Sequence, residues 1–249
     1  MSEDLTSEEF WVQQERIPGS TRVPIRELKS VLSDRDNQEM VILDLGSGEG
    51  RSTRAIKEAF PKAEVVAFDL SHQGLEKTVA EADRVQGTVL ELPFSNEAAD
   101  GVVLCGVMTN ITDKEPEKAV EARKKVFEEI SRVLKPGGIC VISDFSNAHL
   151  LTGYPVNYTR HKIITDEYGT IAVFDPMDKI SFAGLSDEEV ADLSPQVIRL
   201  AHHYSSEEMI GLVKSQEDLT VSSYSVERGT TPSGTPIDTL VMVVIKKPV

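Results

Sequence analysis

The stretch Met40-Val41-Ile42-Leu43-Asp44-Leu45-Gly46-Ser47-Gly48-Glu49-Gly50 decides the predicted fold. Its first six residues are almost continuously apolar, as strands of a parallel sheet covered on both faces are. The three alternating glycines end this strand in a tight turn, and because they lack a Cβ they let backbone amides approach a ligand. Open α/β sheets place their ligands outside the carboxyl ends of central parallel strands. We therefore predict a ligand-binding turn at this position.

Short apolar runs alternate with amphipathic helical patterns from about residue 39 to residue 145. This alternation predicts a parallel sheet with crossover helices. After the first strand, the predicted elements of this part are strands at 64–69, 84–88, 101–105 and 139–143, helices at 52–60 and after Ser71, and a long helix that runs from a capping box at 112–115 to Leu134.

The pattern changes after Asp144. Two strand-like runs at 161–165 and 170–174 predict a hairpin, and capping boxes that begin at Ser186 and Ser205 predict two helices. Two final strands, at 219–224 and 239–245, are joined by a loop with too few residues for a crossover helix, so we expect them to pair antiparallel.

The elements together predict an α/β fold of Rossmann-like type. It has a seven-stranded, mostly parallel sheet, an antiparallel final strand and helices on both faces. We divide the chain into an N-terminal helical lid at 1–38 and a main domain at 39–249, with an inserted cap or rim at about 148–203. Trp11 is a candidate for the lid, and Tyr154 and Tyr158 are candidates for pocket lining.

The composition excludes several classes of protein and partner. The chain has 249 residues, of which 40% are hydrophobic and 27% are charged, which is typical of one globular domain. A net charge of -15 gives no electrostatic reason to approach nucleic acid. No long apolar stretch or signal peptide is present, so we expect a cytoplasmic protein without membrane insertion. Cys105 and Cys140 are too few for a cysteine-based metal site, and no metal is predicted.

Asp69 strengthens the hypothesis of a ligand site. It ends the second predicted strand, where its carboxylate can accept hydrogen bonds from both hydroxyls of a ribose. The alternative is a turn residue that precedes Ser71, and the glycine turn favours ribose. A nicotinamide dinucleotide also suits both features. However, Arg51 stands where the dinucleotide pattern requires its third glycine, which weighs against NAD.

Four stretches carry a resemblance to a known family: 41–50, Asp69, 87–94 and 134–138 resemble class I S-adenosylmethionine-dependent methyltransferases. The stretch 87–94, followed by 99–103, is similar to the small-molecule branch that includes quinone-biosynthesis methyltransferases. The resemblance covers residues 39–145 and is thinner afterwards. It implies S-adenosylmethionine as cofactor and a methyltransferase domain at 39–249.

The resemblance also implies roles for individual residues around the cofactor. The site predicted from it comprises Asp44 to orient the turn or the methionine amino group, Gly46, Ser47 and Gly48 against the methionine part, Gly50 to complete the turn, Asp69 on the ribose, Leu70 and Val89 beside adenine, Thr88 as acceptor from the adenine amino group, and Cys105 and Gly106 near the methionyl amine. Thr88 stands where the family commonly has an acidic residue, and a hydroxyl accepts less strongly.

The predicted function is methyl transfer from S-adenosylmethionine to a small-molecule acceptor by in-line displacement. Such chemistry chiefly requires alignment of the acceptor and exclusion of water, so no catalytic residue is assigned. His161, His202 and His203 are candidates for a general base if the acceptor needs one. An NAD-dependent oxidoreductase and a noncatalytic S-adenosylmethionine-binding protein remain as alternatives. The sequence predicts neither the acceptor nor the oligomeric state.

Overall fold

The computed structural model describes residues 22–33, 39–148, 161–174, 180–193, 198–230 and 236–248. The strands are β1 (Val41–Leu45), β2 (Glu64–Asp69), β3 (Asp83–Gln86), β4 (Ala99–Cys105), β5 (Leu134–Phe145), β6 (His161–Asp166), β7 (Gly169–Phe174), β8 (Arg199–His203), β9 (Leu219–Thr230) and β10 (Pro236–Lys246). The α-helices are α1 (Arg22–Leu32), α2 (Arg51–Ala59), α3 (His72–Glu76), α4 (Pro116–Val133), α5 (Asp187–Ala191) and α6 (Ser206–Lys214), and a 3₁₀ helix spans Met108–Asn110.

Seven strands form the central sheet in the order β3-β2-β1-β4-β5-β10-β9. The first five pair parallel, and β10 pairs antiparallel with both β5 and β9. The predicted fold class is confirmed. The short connection between β9 and β10 explains the exception, because a parallel crossover needs a dozen or more residues.

Two apolar clusters cover the two faces of this sheet. On one face, Phe127 of α4 and Met209 of α6 pack with Leu43 and Leu45 of β1. On the other face, Leu28 of α1 and Ile56 of α2 pack with Ile42 and Val103. Successive side chains of a strand point to opposite faces, which is why β1 contributes to both clusters. Helices therefore cover both faces, as predicted. In the part of the chain that the structure describes, no helix is long and apolar enough to cross a membrane.

The predicted N-terminal lid lies largely outside the described residues, and Trp11 with it. Its described part, α1, packs Ile25, Leu28 and Leu32 onto the sheet, where all three are buried. The boundary of the lid at residue 38 stays a prediction.

The predicted cap contains a second, three-stranded sheet in the order β6-β7-β8, with antiparallel pairing throughout. It has an apolar cluster of its own, formed by Val173, Phe182, Val190 and Ile198. The predicted hairpin is confirmed. The capping box at Ser186 is also confirmed, since its hydroxyl accepts from the Glu189 amide at 3.2 Å and the Glu189 carboxylate accepts from the Ser186 amide at 2.7 Å.

The capping box predicted at 112–115 is wrong. Helix α4 begins at Pro116, its N-cap is Glu115, and no side chain caps it. Asp113 instead accepts a hydrogen bond from the Glu115 amide at 2.9 Å, which turns the chain before the helix. Proline then starts the helix, because its fixed φ suits the first turn and its missing N–H is not needed there.

Strands β3 and β5 differ from their predicted bounds. β3 is Asp83–Gln86 rather than 84–88, and β5 begins at Leu134 rather than at 139. The register of β4 and β5 shifts between Ala99 and Gly101, so residues 135–138 bulge opposite Asp100. An ion pair of 2.7 Å between Lys135 and Asp100 holds this bulge, which the glycine-rich sequence alone presents as a turn.

Candidate functional site

The glycine-rich turn lies between β1 and α2, at the carboxyl edge of the sheet. Gly46, Gly48 and Gly50 have φ values of +73°, +53° and +77°. Such left-handed backbone costs other L-residues about 1–2 kcal/mol each, so the turn requires its glycines. The amides of Gly46 and Ser47 donate to the Phe68 carbonyl of β2 at 2.7 and 3.1 Å. The turn is therefore anchored to the neighbouring strand.

The three glycines face different surroundings. A Cβ on Gly46 would lie 2.3 Å from Cγ2 of Val107, and one on Gly50 would lie 2.8 Å from Thr78. A Cβ on Gly48 would have no described atom within 4 Å. Packing inside the protein thus requires Gly46 and Gly50, whereas Gly48 borders open space that a ligand can enter.

Asp69 ends β2 and binds the backbone with both carboxylate oxygens. Oδ2 accepts from the Gly48 amide at 2.7 Å, and Oδ1 accepts from the Ser71 amide at 2.8 Å. The alternative role as a turn residue before Ser71 is therefore present in the structure. Each carboxylate oxygen can accept a second hydrogen bond, so both oxygens retain capacity for ribose hydroxyls.

Asp44 is the next-to-last residue of β1, just before the turn, and is buried. Its Oδ2 accepts from the hydroxyls of Ser52 and Thr53 in the first turn of α2, at 2.8 and 2.6 Å. Its Oδ1 has no hydrogen-bond partner among the described residues. Burial raises the pKa of this carboxyl to about 6, and the nearby charge of Asp69 contributes in the same direction.

The Ser47 hydroxyl is also buried and, like Asp44 Oδ1, has no hydrogen-bond partner in the described ranges. Buried polar atoms are usually satisfied, so each exception requires an explanation. An ammonium group that donates to Asp44 and a polar group that pairs with Ser47 satisfy both. The acceptor atom of Asp44 and the hydroxyl of Ser47, both without a described partner, therefore fit the amino acid end of S-adenosylmethionine.

The residues predicted to surround adenine follow the ends of β2 and β3. Leu70 is 52% exposed, which is unusual for a leucine beside a buried strand. The Gly87 amide donates to the Asp69 carbonyl at 3.0 Å and brings 87–89 to the same edge. Val89 is buried in the core, and the exposed Thr88 accepts from the Leu90 amide at 3.3 Å.

The end of β4 and the chain that follows it carry the remaining predicted contacts. We call Gly106–Ile111 the post-β4 segment. Gly106 has φ +69° and donates its amide to the Ser143 carbonyl at 2.8 Å, and the pKa of the Cys105 thiol is raised by burial and by Asp44. Val107 packs on Gly46. Sequence reasoning missed Val107, because an apolar residue after a strand carries no distinctive signal.

Asp144 is another buried carboxyl near the site, and sequence reasoning assigned it no role. Its oxygens accept from the amides of Thr109 and Phe145 at 3.2 and 2.8 Å, which ties β5 to the post-β4 segment. Burial raises its pKa to about 7.

Two of the three candidate histidines have described side chains. His202 is fully buried, and its Nε2 lies 2.6 Å from Oε1 of Glu208. His203 stacks on Phe145 with 5.3 Å between ring centroids. The side chain of His161 lies outside the described residues, as do Tyr154 and Tyr158. In the described ranges, no group of three or more His, Cys, Asp or Glu side chains could hold a metal ion.

Residues 43–142 match a family model described as a methyltransferase domain. The resemblance recognised from the glycine turn, Asp69 and the later motifs is confirmed over this range.

Curated relatives are similar to part of the chain. The ubiquinone/menaquinone biosynthesis C-methyltransferase of Syntrophotalea carbinolica is 33% identical over an alignment of 129 residues, and the match covers 48% of this chain and 51% of the relative. The demethylmenaquinone methyltransferase of Clavibacter sepedonicus is 39% identical over an alignment of 111 residues, and the match covers 42% of this chain and 41% of the relative. The chain thus spans about half the length of the curated relatives that it matches.

Solved structures share the fold. An S-adenosylmethionine-dependent methyltransferase of Methanosarcina mazei is 19% identical with a TM-score of 0.61, over 88% of this chain and 98% of its own. The 1,6-didemethyltoxoflavin-N1-methyltransferase of Burkholderia thailandensis, solved with bound 1,6-didemethyltoxoflavin and S-adenosylhomocysteine, is 18% identical with a TM-score of 0.56. The match covers 92% of this chain and 79% of that protein.

Proposed function

We propose that this chain, whose residues 43–142 match a family model of a methyltransferase domain, transfers the methyl group of S-adenosylmethionine to a small-molecule acceptor. The observation that carries the proposal is Oδ1 of Asp44, a buried acceptor atom without a described partner, in the strand that leads into the turn with the open Gly48. When bound, S-adenosylmethionine supplies a methyl group that its positively charged sulfonium already activates. The protein's own residues then have to hold the two reactants in line and exclude water.

The proposed contacts fall into three groups, which would hold the ribose, the methionine part with its ammonium group, and adenine. Asp69 would hold the ribose through the second acceptor site of each carboxylate oxygen. Asp44 would accept from the ammonium group, and a charge-assisted hydrogen bond there offsets the burial of its carboxylate. The remaining proposed contacts are Gly46, Ser47, Gly48, Cys105 and Gly106 for the methionine part and Leu70, Thr88 and Val89 for adenine, with Gly50 completing the turn.

The proposed acceptor class is taken from the relatives rather than from a described pocket. The names of the Syntrophotalea and Clavibacter relatives refer to quinone biosynthesis, which makes a demethylated quinone precursor the first acceptor to test. The net charge of -15 disfavours nucleic acid as the methyl acceptor. His203, which stacks on Phe145 at the end of β5, is the histidine we would examine first as a base.

The two alternative functions differ in what binds and what reacts. An NAD-dependent oxidoreductase requires dinucleotide binding, but Arg51 occupies the third-glycine position and forms the first residue of α2. A noncatalytic binding protein predicts cofactor binding without methyl transfer to any acceptor.

Titration calorimetry with S-adenosylmethionine, S-adenosylhomocysteine and NAD distinguishes the first alternative. We expect both adenosyl compounds to bind and NAD to remain unbound.

A mass-detected screen of small acceptors, beginning with demethylated quinols, then distinguishes the second alternative, a noncatalytic binding protein. The expected product is heavier by one methylene unit and requires S-adenosylmethionine. Absence of binding by both adenosyl compounds at millimolar concentration would refute the proposal.

A further inference from the structure

The post-β4 segment packs against the glycine-rich turn. Val107 fills the place beside Gly46 that a side chain at that position would occupy, since a Cβ there would lie only 2.3 Å from Cγ2 of the valine. Protein interiors are close-packed, so a displacement of Val107 changes the space around Gly46 directly. The groups that hold this segment therefore also set the space beside Gly46.

Three side chains from three parts of the fold hold the post-β4 segment. Oη of Tyr204, which follows β8, donates to the Met108 carbonyl at 2.8 Å. Nε of Arg123, in α4, donates to the Ile111 carbonyl at 3.0 Å, and Asp144 accepts from the Thr109 amide at 3.2 Å. Arg123 and Tyr204 are only 2% and 0% exposed. In such surroundings, the loss of one side chain removes a buried hydrogen bond to the segment, although the Met108 carbonyl still accepts from the Ile111 amide at 3.0 Å.

Glu208 connects Arg123 with the three-stranded sheet. Its Oε1 lies 3.6 Å from a terminal nitrogen of Arg123 and 2.6 Å from Nε2 of His202. The Arg123 guanidinium also lies 5.8 Å from the centroid of the Tyr204 ring. The Ser205 hydroxyl caps α6 and accepts from the Glu208 amide at 3.0 Å. The backbone of Glu208 therefore belongs to the helix cap, and its carboxylate belongs to the buried network.

His202 extends the contacts into the hairpin of β6 and β7. A Cβ on Gly169, in the turn of this hairpin, would lie 2.5 Å from Cε1 of His202. The His202 ring meets the Tyr204 ring edge-on, with 4.5 Å between centroids. Packed contacts thus run without interruption from the hairpin turn to the glycine-rich turn.

We propose that Tyr204, Arg123 and Glu208 are positioning residues, which couple the docking of the three-stranded sheet to affinity for the methionine half of the cofactor. This inference rests on the proposed function. Gly106 is a proposed contact of the methionine half, and Val107 packs on Gly46, which is another. The network holds the segment that contains Gly106 and Val107. The adenosine half would lie at the ends of β2 and β3, where the Asp69 carbonyl accepts from the Gly87 amide at 3.0 Å and the Asp69 carboxylate accepts from the Ser71 amide at 2.8 Å instead. The network therefore acts on one half of the ligand.

Two probes separate the halves. S-adenosylhomocysteine contains both, whereas 5′-methylthioadenosine lacks the amino and carboxyl groups. Calorimetry at 15 °C measures both dissociation constants for the wild type and for Tyr204→Phe. We expect the variant to bind S-adenosylhomocysteine about 5–10-fold more weakly, as loss of one buried hydrogen bond usually brings. Methylthioadenosine affinity should stay within about twofold of the wild type.

Tyr224→Phe is the matched control, because Tyr224 is 52% exposed on the edge strand β9. It should leave both constants unchanged. Glu208→Gln removes the charge shared by Arg123 and His202 without shortening the side chain, and it tests the same coupling if Tyr204→Phe fails to fold. We expect it to weaken S-adenosylhomocysteine binding about threefold.

Equal weakening of both probes by Tyr204→Phe or Glu208→Gln would overturn the inference, since a general loss of structure acts on both halves. Unchanged affinity for both probes would overturn it too. If the wild type binds neither probe, the proposed function itself fails.

Discussion

The ends of β1 and β2 place two carboxylates at the same edge of the sheet, yet the protein holds them in opposite ways. Asp69 uses both oxygens to organise backbone amides and is partly exposed. Asp44 is fully buried, binds two hydroxyls through one oxygen and leaves the other without a described partner. The difference separates a residue that builds the turn from one that keeps a buried acceptor atom available for a donor on a ligand.

The glycines between these two strand ends differ in the same manner. Gly46 is required because Val107 packs on it, whereas Gly48 borders open space. Structure-building and ligand-facing positions therefore alternate within a few residues.

The largest expected effect comes from Gly46→Ala. The new Cβ would meet Val107 at 2.3 Å with φ at +73°, so we expect a loss of about 2–5 kcal/mol in the free energy of unfolding. Gly48→Ala is the matched control, because its Cβ meets no described atom and only the φ of +53° costs about 1–2 kcal/mol. Urea denaturation measures both. Equal losses would contradict the assigned packing role of Gly46.

Asp69→Ala should weaken binding of S-adenosylhomocysteine about 100-fold. The change removes the acceptor for two backbone amides together with the proposed ribose contact, and charge-assisted hydrogen bonds contribute about 1.5–3 kcal/mol each. Calorimetry measures the constant. Asp83→Ala, at the exposed start of β3, removes the same charge nearby and should leave affinity unchanged. An unaltered constant for Asp69→Ala would exclude its role at the site.

Asp44→Asn should weaken S-adenosylhomocysteine binding about tenfold and yet stabilise the protein at pH 8. Burial raises the folded-state pKa from 3.8 to about 6, so the stability that Asp44 contributes is fully present below pH 3.8 and is lost as pH rises through about 6. Asparagine has no such loss. The unfolding midpoint of the variant should therefore exceed that of the wild type at pH 8, and the gap should narrow towards pH 5. A midpoint below the wild type at both pH values would contradict this.

The smallest expected effect is the pH dependence of binding in the wild type. Protonation of Asp44 removes its attraction for an ammonium group, so affinity for S-adenosylhomocysteine should fall below pH 6 and be flat above pH 7. We expect about a threefold to fivefold loss between pH 7.5 and pH 5. Calorimetry on Asp44→Asn supplies the control, since this variant should lose most of the dependence. An identical dependence in the variant would assign it to another group.

Much of the fold could be predicted because its signals are local. Continuous apolar runs predicted the strands, and the short final connection predicted the antiparallel end of the sheet. The start of α4 was mispredicted at Thr112. The residues after Thr112 offer two possible helix starts, a capping box at 112–115 and a turn at Asp113 followed by Pro116, and sequence spacing alone does not show which one forms. The bulge at 135–138 was missed because its ion pair with Asp100 joins distant parts of the chain.

The sequence by itself determined the glycine-rich turn and the two strand-end carboxylates, since φ preferences and strand ends depend on near neighbours. Only the tertiary structure decided what each of them does. Val107, which lies far along the chain from Gly46, makes that glycine a packing residue, and burial distinguishes Asp44 from Asp69. Tyr204 joins the site through a hydrogen bond to Met108, 96 positions away, because buried hydrogen bonds depend on which surfaces meet rather than on sequence spacing.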